Sequence, residues 1–428
     1  MHLTSSFNVL LPCATALLCL VGVSAPLSVH GQEWNRFRGP NGSGESESKT
    51  VPGSWTDADL NWKVTLPGVG HSSPAIWQEK IFLLSANPDD ATRYMLCLST
   101  KDGSQLWRKD FPSKPHHLHV RSSYASCTPF VDADTVYVAW SDPDHTWLKA
   151  FAHDGKEKWS VDFGEWVSQH GFGSSPIVVG DLVILSCSQE PSKQPNTPDP
   201  KDSFVVAVDR KTGEVKWKTP RKTDTTSYSV PCVRQLPDEG GDEIVCCSTA
   251  EGIFALNPKN GEQNWALKVF DKRTVSSPFI AGGLVFGTTG SGGGGSYVVA
   301  LSPKGAQPEV VYEVRKEAPY VPTPVARGEL LFLWSDKGIV TCVQVADGKQ
   351  VWQKRVNGAF SGSPIRVDDK VYCISEEGEV VVLAAEKEFK EIGRMSLGEP
   401  SRSTPAVSGG RMYLRTYSQL ISVGGKTL

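Results

Sequence analysis

The sequence contains no apolar stretch that reaches the roughly 20 residues of a membrane-spanning helix. It also has no excess of charge of one sign, because its net charge is −3 and both signs are interspersed. A chain of this kind lacks the basic surface that binds nucleic acid or an anionic membrane. We therefore expect neither nucleic-acid binding nor membrane insertion, and the charge indicates no particular partner.

Cysteine motifs for metal or haem are also missing. The chain has ten cysteines, but none lies in a C-x-x-C or C-x-x-C-H motif, and no Cys/His spacing suits zinc. A structural zinc site and a covalently attached haem are therefore disfavoured. Segments with helical periodicity are absent as well, which leaves an all-β chain.

The amino terminus has the pattern of a secretory signal. An apolar run extends from Val9 to Val23, and small residues follow it up to Gly31. We predict a signal peptide over residues 1–31 and export to the periplasm or the extracellular space. One feature departs from the pattern, since Met1 to Asn8 include no Lys or Arg. No small residue precedes Cys13 or Cys19, so a lipid anchor is not expected.

A repeat explains how about 400 residues fold without an interdomain linker. A small residue followed by proline opens a β-rich run eight times, at intervals of 40 to 55 residues. That period is typical of propeller blades with four strands. The anchor prolines are Pro74, Pro129, Pro176, Pro231, Pro278, Pro324, Pro364 and Pro405.

The last repeat lacks its fourth strand, and an orphan strand with the same signature precedes the first repeat. A Trp closes the fourth strand in five repeats, and Trp62 lies in the orphan strand LNWKVTL. We predict an eight-bladed β-propeller of four-stranded antiparallel blades over residues 55–428, in which residues 55–66 complete the last blade. This closure removes exposed sheet edges.

The repeats resemble those of the pyrroloquinoline-quinone-like propeller family, which carry A-x-D-x-x-T-G-x-x-x-W. The best match here is AVDRKTGEVKW, which ends at Trp217, and the arm W-x-x-F-R-G-P begins at Trp34. The family includes quinone-dependent alcohol dehydrogenases and non-catalytic scaffolds such as the propeller of the outer-membrane assembly machine. The resemblance implies the fold and leaves the chemistry open.

Residues 32–54 form a segment rich in Gly, Ser and Glu. We predict a flexible arm that adds little to the core and is the first part that a protease removes. The competing hypothesis is that Trp34, Phe37 and Arg38 dock on the propeller as a fixed plug.

Two motifs suggest cofactors but have simpler explanations. Cys246-Cys247 resembles the adjacent cysteine pair that quinone-dependent dehydrogenases place beside their cofactor, yet it lies in a β-run whose side chains alternate between faces. We interpret these residues as buried thiols, with a disulfide to Cys232 as the alternative. The glycine-rich run 290–296 and the polar stretch 189–203 are interpreted as a strand connector and a solvated loop.

Histidines and arginines concentrate in the loops that enter innermost strands, which all emerge on one face of a propeller. We predict a ligand-binding rim there, beside Tyr228 and Tyr320 at equivalent positions, and an anion is the favoured ligand. The predicted rim residues are His71, His116, His117, His119, Arg121, His170, Arg273 and Arg402. No metal site is assigned, because the loop with H-H-x-H lacks supporting carboxylates.

No general base with a defined partner is recognisable, so catalytic residues stay unassigned. The leading hypothesis is a binding or scaffold module in the cell envelope, with an envelope protein or a small anionic ligand as partner. The alternative is a dehydrogenase of alcohols or sugars that uses pyrroloquinoline quinone with calcium. A hydrolase or sugar-binding propeller is the third and weakest hypothesis.

Overall fold

The computed structural model describes residues 1–2, 33–190, 203–223, 225–236, 241–304 and 307–425. The chain divides into two units, residues 1–30 and 31–428, and every strand lies in the second. The predicted signal peptide falls almost entirely outside the described residues. Within the described ranges no helix is both long and apolar enough to cross a bilayer.

Eight four-stranded antiparallel blades form the propeller, as predicted from the repeat, and one of their sheets gains a fifth strand from the arm. Short turns join most neighbouring strands within a blade, and the first strand after each anchor proline is the innermost. The first four blades comprise β3 (Ala75–Trp77), β4 (Lys80–Ala86), β5 (Arg93–Ser99) and β6 (Gln105–Phe111); β7 (Phe130–Val131), β8 (Thr135–Ser141), β9 (Thr146–Ala152) and β10 (Glu157–Asp162); β11 (Ile177–Val179), β12 (Leu182–Cys187), β13 (Ser203–Asp209) and β14 (Val215–Arg221); β15 (Cys232–Leu236), β16 (Gly241–Ser248), β17 (Gly252–Leu256) and β18 (Gln263–Leu267).

The other four blades follow the same order. They comprise β19 (Phe279–Ala281), β20 (Leu284–Thr289), β21 (Tyr297–Ser302) and β22 (Glu309–Val314); β23 (Val325–Arg327), β24 (Leu330–Trp334), β25 (Ile339–Gln344) and β26 (Gln350–Arg355); β27 (Ile365–Val367), β28 (Lys370–Ile374), β29 (Glu379–Ala384) and β30 (Glu391–Ser396); β31 (Ala406–Ser408), β32 (Arg411–Arg415) and β33 (Gln419–Gly424) with β2 (Leu60–Thr65). Two short 3₁₀ helices, Pro40–Gly42 and Asp57–Asp59, and the two-residue strand β1 (Glu45–Ser46) precede the propeller repeats.

The amino-terminal strand closes the ring, as the sequence predicts. β2 pairs antiparallel with β33, with Leu60 opposite Val423 and Thr65 opposite Gln419. Its Trp62 packs 5.9 Å from the ring of Tyr413 in the same blade. The eighth blade therefore contains strands from both ends of the propeller segment.

The recurring tryptophan links neighbouring blades at five positions, where its indole N–H donates to a carbonyl of the following blade: Trp62, Trp107, Trp159, Trp217 and Trp352. Trp265 instead donates to Glu243 of its own blade. Trp159 donates a hydrogen bond from Nε1 to the carbonyl of Arg210 in the following blade. The adjacent Gly213 lies against the Trp159 ring, and a Cβ on this glycine would come within 2.8 Å of the ring. The T-G and W of the repeat motif thus contact each other across blades. Tyr312 replaces the tryptophan in blade five and donates to the Val345 carbonyl at 2.7 Å.

A belt of hydroxyl groups surrounds the channel at the residue before each anchor proline. In seven of the eight steps around the ring, a hydroxyl accepts a hydrogen bond of 2.9–3.1 Å from the backbone N–H of the corresponding residue one blade earlier. Val230 occupies the remaining position and has no hydroxyl. The small residue of the sequence pattern therefore has a specific role, which is to connect neighbouring blades at the axis.

Removing one hydroxyl of this belt should destabilise the ring. In Thr323→Val the shape is kept, but the buried N–H of Ser277 loses its acceptor at 3.0 Å. We expect the free energy of unfolding to fall by about 1–3 kcal/mol, measured by denaturant titration. Val230→Thr is the matched control, because it adds a hydroxyl where the belt has none and should be less destabilising. Equal losses in the two variants would contradict the belt's role.

The arm is docked on the propeller rather than flexible. Trp34 and Arg38 have no exposed surface, and β1 pairs in parallel with β27 of blade seven. Further along, the hydroxyl of Thr50 donates to the carbonyl of Gly410 in blade eight. The prediction of a flexible arm over residues 32–54 is therefore corrected for residues 33–54, which belong to the same compact unit as the blades.

Polar side chains explain the docking. Arg38 donates five hydrogen bonds of 2.7–3.1 Å, all to backbone carbonyls, of which three belong to Thr323, Pro324 and Pro364 on the innermost segments of blades six and seven. Gly39 adopts φ 67° and lies so close to the Trp34 ring that a Cβ would approach it to 2.7 Å. The motif W-x-x-F-R-G-P therefore encodes a plug, which is the competing hypothesis of the sequence analysis.

Candidate functional site

The loops that enter the innermost strands emerge on one face, which we call the open face, and the arm covers part of the opposite, plugged face. A cavity of about 810 Å³ lies at the channel mouth on the open face. Phe37 of the arm contributes to its lining from the plugged side, and hydroxyls of the belt, such as Thr323, line its wall. The arm thus borders the cavity on its plugged side.

Six of the eight predicted rim residues line this cavity: His71, His119, Arg121, His170, Arg273 and Arg402. Tyr228 and Tyr320 line it too. The remaining two predicted residues, His116 and His117, lie in the loop that carries His119 and Arg121, but they do not line the cavity. His116 packs against Tyr124 with ring centroids 4.9 Å apart, and His117 is exposed.

Arg273 is held in place on one side of the cavity by a buried carboxylate. Its Nη2 donates to the two carboxylate oxygens of Glu190 at 3.0 and 3.2 Å, and its Nη1 lies 3.0 Å from the ring nitrogens of His170. The Glu190 side chain is fully buried. Because a paired guanidinium has fixed orientation, its remaining donors are preorganised for a ligand.

A second carboxylate orients two arginines on another side. Arg402 donates to Glu376 at 3.0 Å, and the hydroxyl of Ser361 donates to the same carboxylate at 2.5 Å. Arg121, from the long loop between blades one and two, reaches Glu376 at 3.7 Å. This loop therefore extends across the cavity mouth from blade two to the second hairpin of blade seven.

His119 lies where the fields of these cations overlap. Desolvation and the charges of Arg121, Arg273 and Arg402 lower the pKa of its imidazole. Its ring is 4.6 Å from that of His170. A bound anion near His119 would therefore interact with all three guanidinium groups and would favour protonation of the imidazole.

His71 is kept neutral by its surroundings. Burial, followed by the charges of Arg415 and Arg402, lowers the pKa of His71 to about 3. Its Nδ1 is buried and has no hydrogen-bond partner among the described residues. The same holds for Nε of Arg273 and of Arg402. Three polar atoms on cavity-lining side chains thus have unused hydrogen-bonding capacity, which is unusual for buried groups.

His71 should make the fold sensitive to mild acid. The unfolded chain takes up a proton as the pH falls through about 6.5, whereas folded His71 stays neutral down to about 3, so acid favours the unfolded state. Between pH 6.5 and 5.5 this costs about 1 kcal/mol. We expect His71→Gln to remove that part of the pH dependence, measured by denaturant titration at both pH values. His117→Gln, at an exposed site, is the control, and an unchanged slope in the His71 variant would contradict the assignment.

Three charged residues of the site were not predicted: the carboxylates Glu190 and Glu376, and Lys272, which lines the cavity. Glu190 belongs to the stretch 189–203, which was interpreted as a solvated loop. That interpretation is wrong at both ends, because Gln189, Glu190 and Ser203 are buried; residues 191–202 lie outside the described ranges. The acidic residue three positions after the end of strand β12 is the signal that could have indicated a partner for Arg273. The glycine-rich run connects β20 to β21, as interpreted.

The donor set does not match a metal-dependent quinone site. No group of three or more His, Cys, Asp or Glu side chains in the described ranges is placed to hold a metal ion. Cys246 and Cys247 are buried free thiols whose side chains enter two different core clusters on opposite faces of β16. They do not line the cavity. The arginines would suit the carboxylates of pyrroloquinoline quinone, but ligands for its calcium ion are missing from the described residues.

Comparisons with known proteins agree with the fold. The family model described as outer membrane protein assembly factor BamB matches residues 102–354, 295–392 and 336–425. BamB from Moraxella catarrhalis superposes with a TM-score of 0.61 at 13% sequence identity, over 85% of this chain and 98% of that protein. A europium-containing methanol dehydrogenase superposes with a TM-score of 0.68 at 12% identity, over 92% and 90%.

A quinohemoprotein alcohol dehydrogenase from Pseudomonas putida HK5 gives a TM-score of 0.63 at 12% identity, over 93% of this chain and 81% of the enzyme. At such identities the likeness concerns the fold and carries no chemistry. No curated protein sequence matches the chain.

Proposed function

Because the chain belongs to the family of BamB-type, pyrroloquinoline-quinone-like propellers, we propose that it is a binding module of the cell envelope whose open-face cavity holds an anionic ligand. The ligand is a small polyanion or an acidic group presented by an envelope protein. The rim predicted from the sequence supplies the binding groups: His71, His119, Arg121, His170, Arg273 and Arg402. No catalytic residue is assigned.

One observation carries this proposal. The described residues that line the cavity include four cationic side chains, Arg121, Lys272, Arg273 and Arg402, and no Asp or Glu. Glu190 and Glu376 lie behind three of these cations and hold the guanidinium groups in position. Asp271 pairs with Lys272 at 3.4 Å and Asp336 lies near Arg121, but neither carboxylate lines the cavity. The described lining therefore presents cationic side chains to a ligand and keeps the carboxylates behind them, which favours an anion.

Anion binding is tested by titrating the full protein with citrate, a tricarboxylate, in a calorimeter. Replacing Arg121, Arg273 and Arg402 together by Ala should weaken citrate binding at least tenfold, because each guanidinium contributes a charge-assisted hydrogen bond. The matched control replaces three exposed lysines in turns of the plugged face, Lys101, Lys211 and Lys259, by Ala. This variant should bind citrate as the unmodified protein does. Equal weakening in both variants would show a non-specific charge effect and contradict the proposal.

A quinone-dependent dehydrogenase is the second candidate, supported by the likeness to the two enzymes above. Its cofactor is a planar polycarboxylate that the arginines could bind. Among the described residues, however, no group of three or more His, Cys, Asp or Glu side chains is placed to hold a metal ion, and Cys246 and Cys247 do not line the cavity. We therefore derive no redox step. The test is to add pyrroloquinoline quinone and calcium and to record absorbance and alcohol oxidation. Binding of the quinone without turnover supports the anion site, and turnover would favour the enzyme.

Export is the remaining part of the proposal. It is supported by the apolar run Val9–Val23 and by the family description, which concerns outer-membrane assembly. Fractionation of cells that express the full chain tests it, with the protein expected in the periplasmic or extracellular fraction. A cytoplasmic protein that keeps residues 1–31 would contradict it.

A further inference from the structure

The plugged face carries a groove that is separate from the cavity. Its volume is about 1690 Å³, and residues of the arm form one side of it. The floor comes from the innermost strands of blades one to five, with Val178, Val233 and Ile280 as half-buried apolar residues at corresponding positions. Each of these is the second residue after an anchor proline.

The arm shows how the innermost strands bind extended chain. The N–H groups at this position in blades one, two and seven, on Ile76, Val131 and Arg366, each donate a hydrogen bond of 2.8 Å to a backbone carbonyl of the arm. In blade four, Val233 exchanges two hydrogen bonds of 2.7 and 2.8 Å with the side-chain amide of Asn41. At this position the backbone N–H therefore points away from the sheet of its own blade and toward the channel.

Blades three and five present the same edge without the arm. β11 and β19 are the terminal strands of their sheets, and among the described residues no strand pairs with their channel side. Val178 and Ile280 occupy the position that the arm contacts in blades one, two, four and seven. Ile76 and Val131 are fully buried by the arm, whereas Val178 and Ile280 are only half-buried. An unpaired strand edge with apolar side chains is a template for another chain.

A second observation indicates that the groove binds a polar backbone. Arg36 and Asn35 line it, and Nε of Arg36 and Oδ1 of Asn35 are buried without hydrogen-bond partners among the described residues. Arg36 is 4% exposed, and its Nη2 donates to the Pro231 carbonyl at 2.7 Å. The groove thus has both a donor and an acceptor without partners in the described part of the chain, above an apolar floor. Carbonyl groups that alternate with apolar side chains match this surface.

From these features we infer that the groove on the plugged face binds an extended, apolar segment of another polypeptide. The segment accepts hydrogen bonds from Val178 and Ile280 through its backbone carbonyls, in the same way as the arm accepts those of blades one, two and seven. The apolar side chains of the bound segment cover the floor of the groove at Val178, Val233 and Ile280. The open-face cavity takes no part, so this site is independent of anion binding.

The probe is a phage-displayed library of random linear 12-residue peptides, selected on the full protein. We expect enriched peptides with alternating apolar residues. In fluorescence anisotropy they should bind the double variant Val178→Lys/Ile280→Lys at least tenfold more weakly than they bind the unmodified protein. Val120→Lys, a change of an exposed valine on the open face, is the matched control and should bind the peptides normally. Val178→Pro removes only the outward N–H, since this N–H is not used by β12, and should also weaken binding.

Amide hydrogen exchange keeps the test independent of variant stability. In the unmodified protein, bound peptide should slow exchange at Val178 and Ile280 and leave the cavity loops unchanged. The inference is overturned if no peptide is enriched, if the lysine variant binds as well as the unmodified protein, or if these two amides are not protected. Citrate binding is measured in parallel, so failure here and failure of the anion site are distinguished.

Discussion

A chain that begins at residue 67 should fail to form a stable monomer, because the eighth blade then lacks β2. The truncation exposes the edge of β33 and the face that Trp62 covers, and it removes the hydrogen bond of 3.1 Å from Trp62 to the Thr100 carbonyl in blade one. The ring is opened between blades eight and one, so the loss should approach the full stability of a domain, roughly 5–15 kcal/mol. We expect aggregation or a broad, early melting transition, measured by calorimetry and light scattering.

The decisive control restores β2 by attaching it at the carboxyl-terminal end of the propeller. Residues 55–66 are attached directly after Gly425, so that residues 55–59 form a loop and β2 pairs with β33 in the native antiparallel register. Both chains lack the arm and differ only in the closing strand. The extended chain should recover a monomeric state and a cooperative transition. If the chain beginning at residue 67 is already as stable as the extended one, closure by β2 is unimportant.

Arg38→Ala should be the most destabilising single substitution in the arm. It leaves the carbonyls of Thr323, Pro324 and Pro364 without their donors and opens a cavity at the centre of the plugged face. Burial lowers the pKa of Arg38 to about 9, which shows that desolvation of the cation offsets part of the gain. We still expect a loss of about 3–5 kcal/mol in the free energy of unfolding, measured by denaturant titration.

Two further variants show whether the guanidinium geometry matters. Arg38→Lys keeps the charge but cannot donate to several carbonyls at once, so it should recover only part of the loss. Arg36→Ala removes one hydrogen bond to Pro231 and should cost less than Arg38→Ala. A value for Arg38→Ala within 1 kcal/mol of the unmodified protein would contradict the plug.

The sequence predicts the blades well because their signals repeat. Eight anchor prolines and the recurring tryptophan mark the units, and Trp62 identifies the strand that completes the ring. The arm has no such redundancy. Its docking depends on Arg38 and Asn41 donating to backbone carbonyls of distant blades, and composition gives no information on such contacts. Gly and Ser residues that suggested flexibility instead allow the tight turn around Trp34.

The candidate site was predictable in its location but not in its details. Loop topology places the histidines and arginines on one face, and six of the eight lie at one cavity. The direction of individual side chains depends on local partners, as when the backbone N–H of His116 donates to the Tyr124 hydroxyl and its ring packs on Tyr124. Glu190 and Glu376 come from hairpins distant in sequence, so their pairing with Arg273 and Arg402 follows only from the three-dimensional arrangement.

The closure of the ring also imposes an order in time. Asn61 in β2 donates to the carbonyl of Gly424, 363 residues later. At synthesis rates of 5–20 residues per second, β2 waits roughly 20–70 s for its partner. During that interval the early blades exist without a closed ring and need protection from aggregation. Closure consequently requires that translation has passed β33, because a chain released before β33 cannot seal the propeller and is left open to proteolysis.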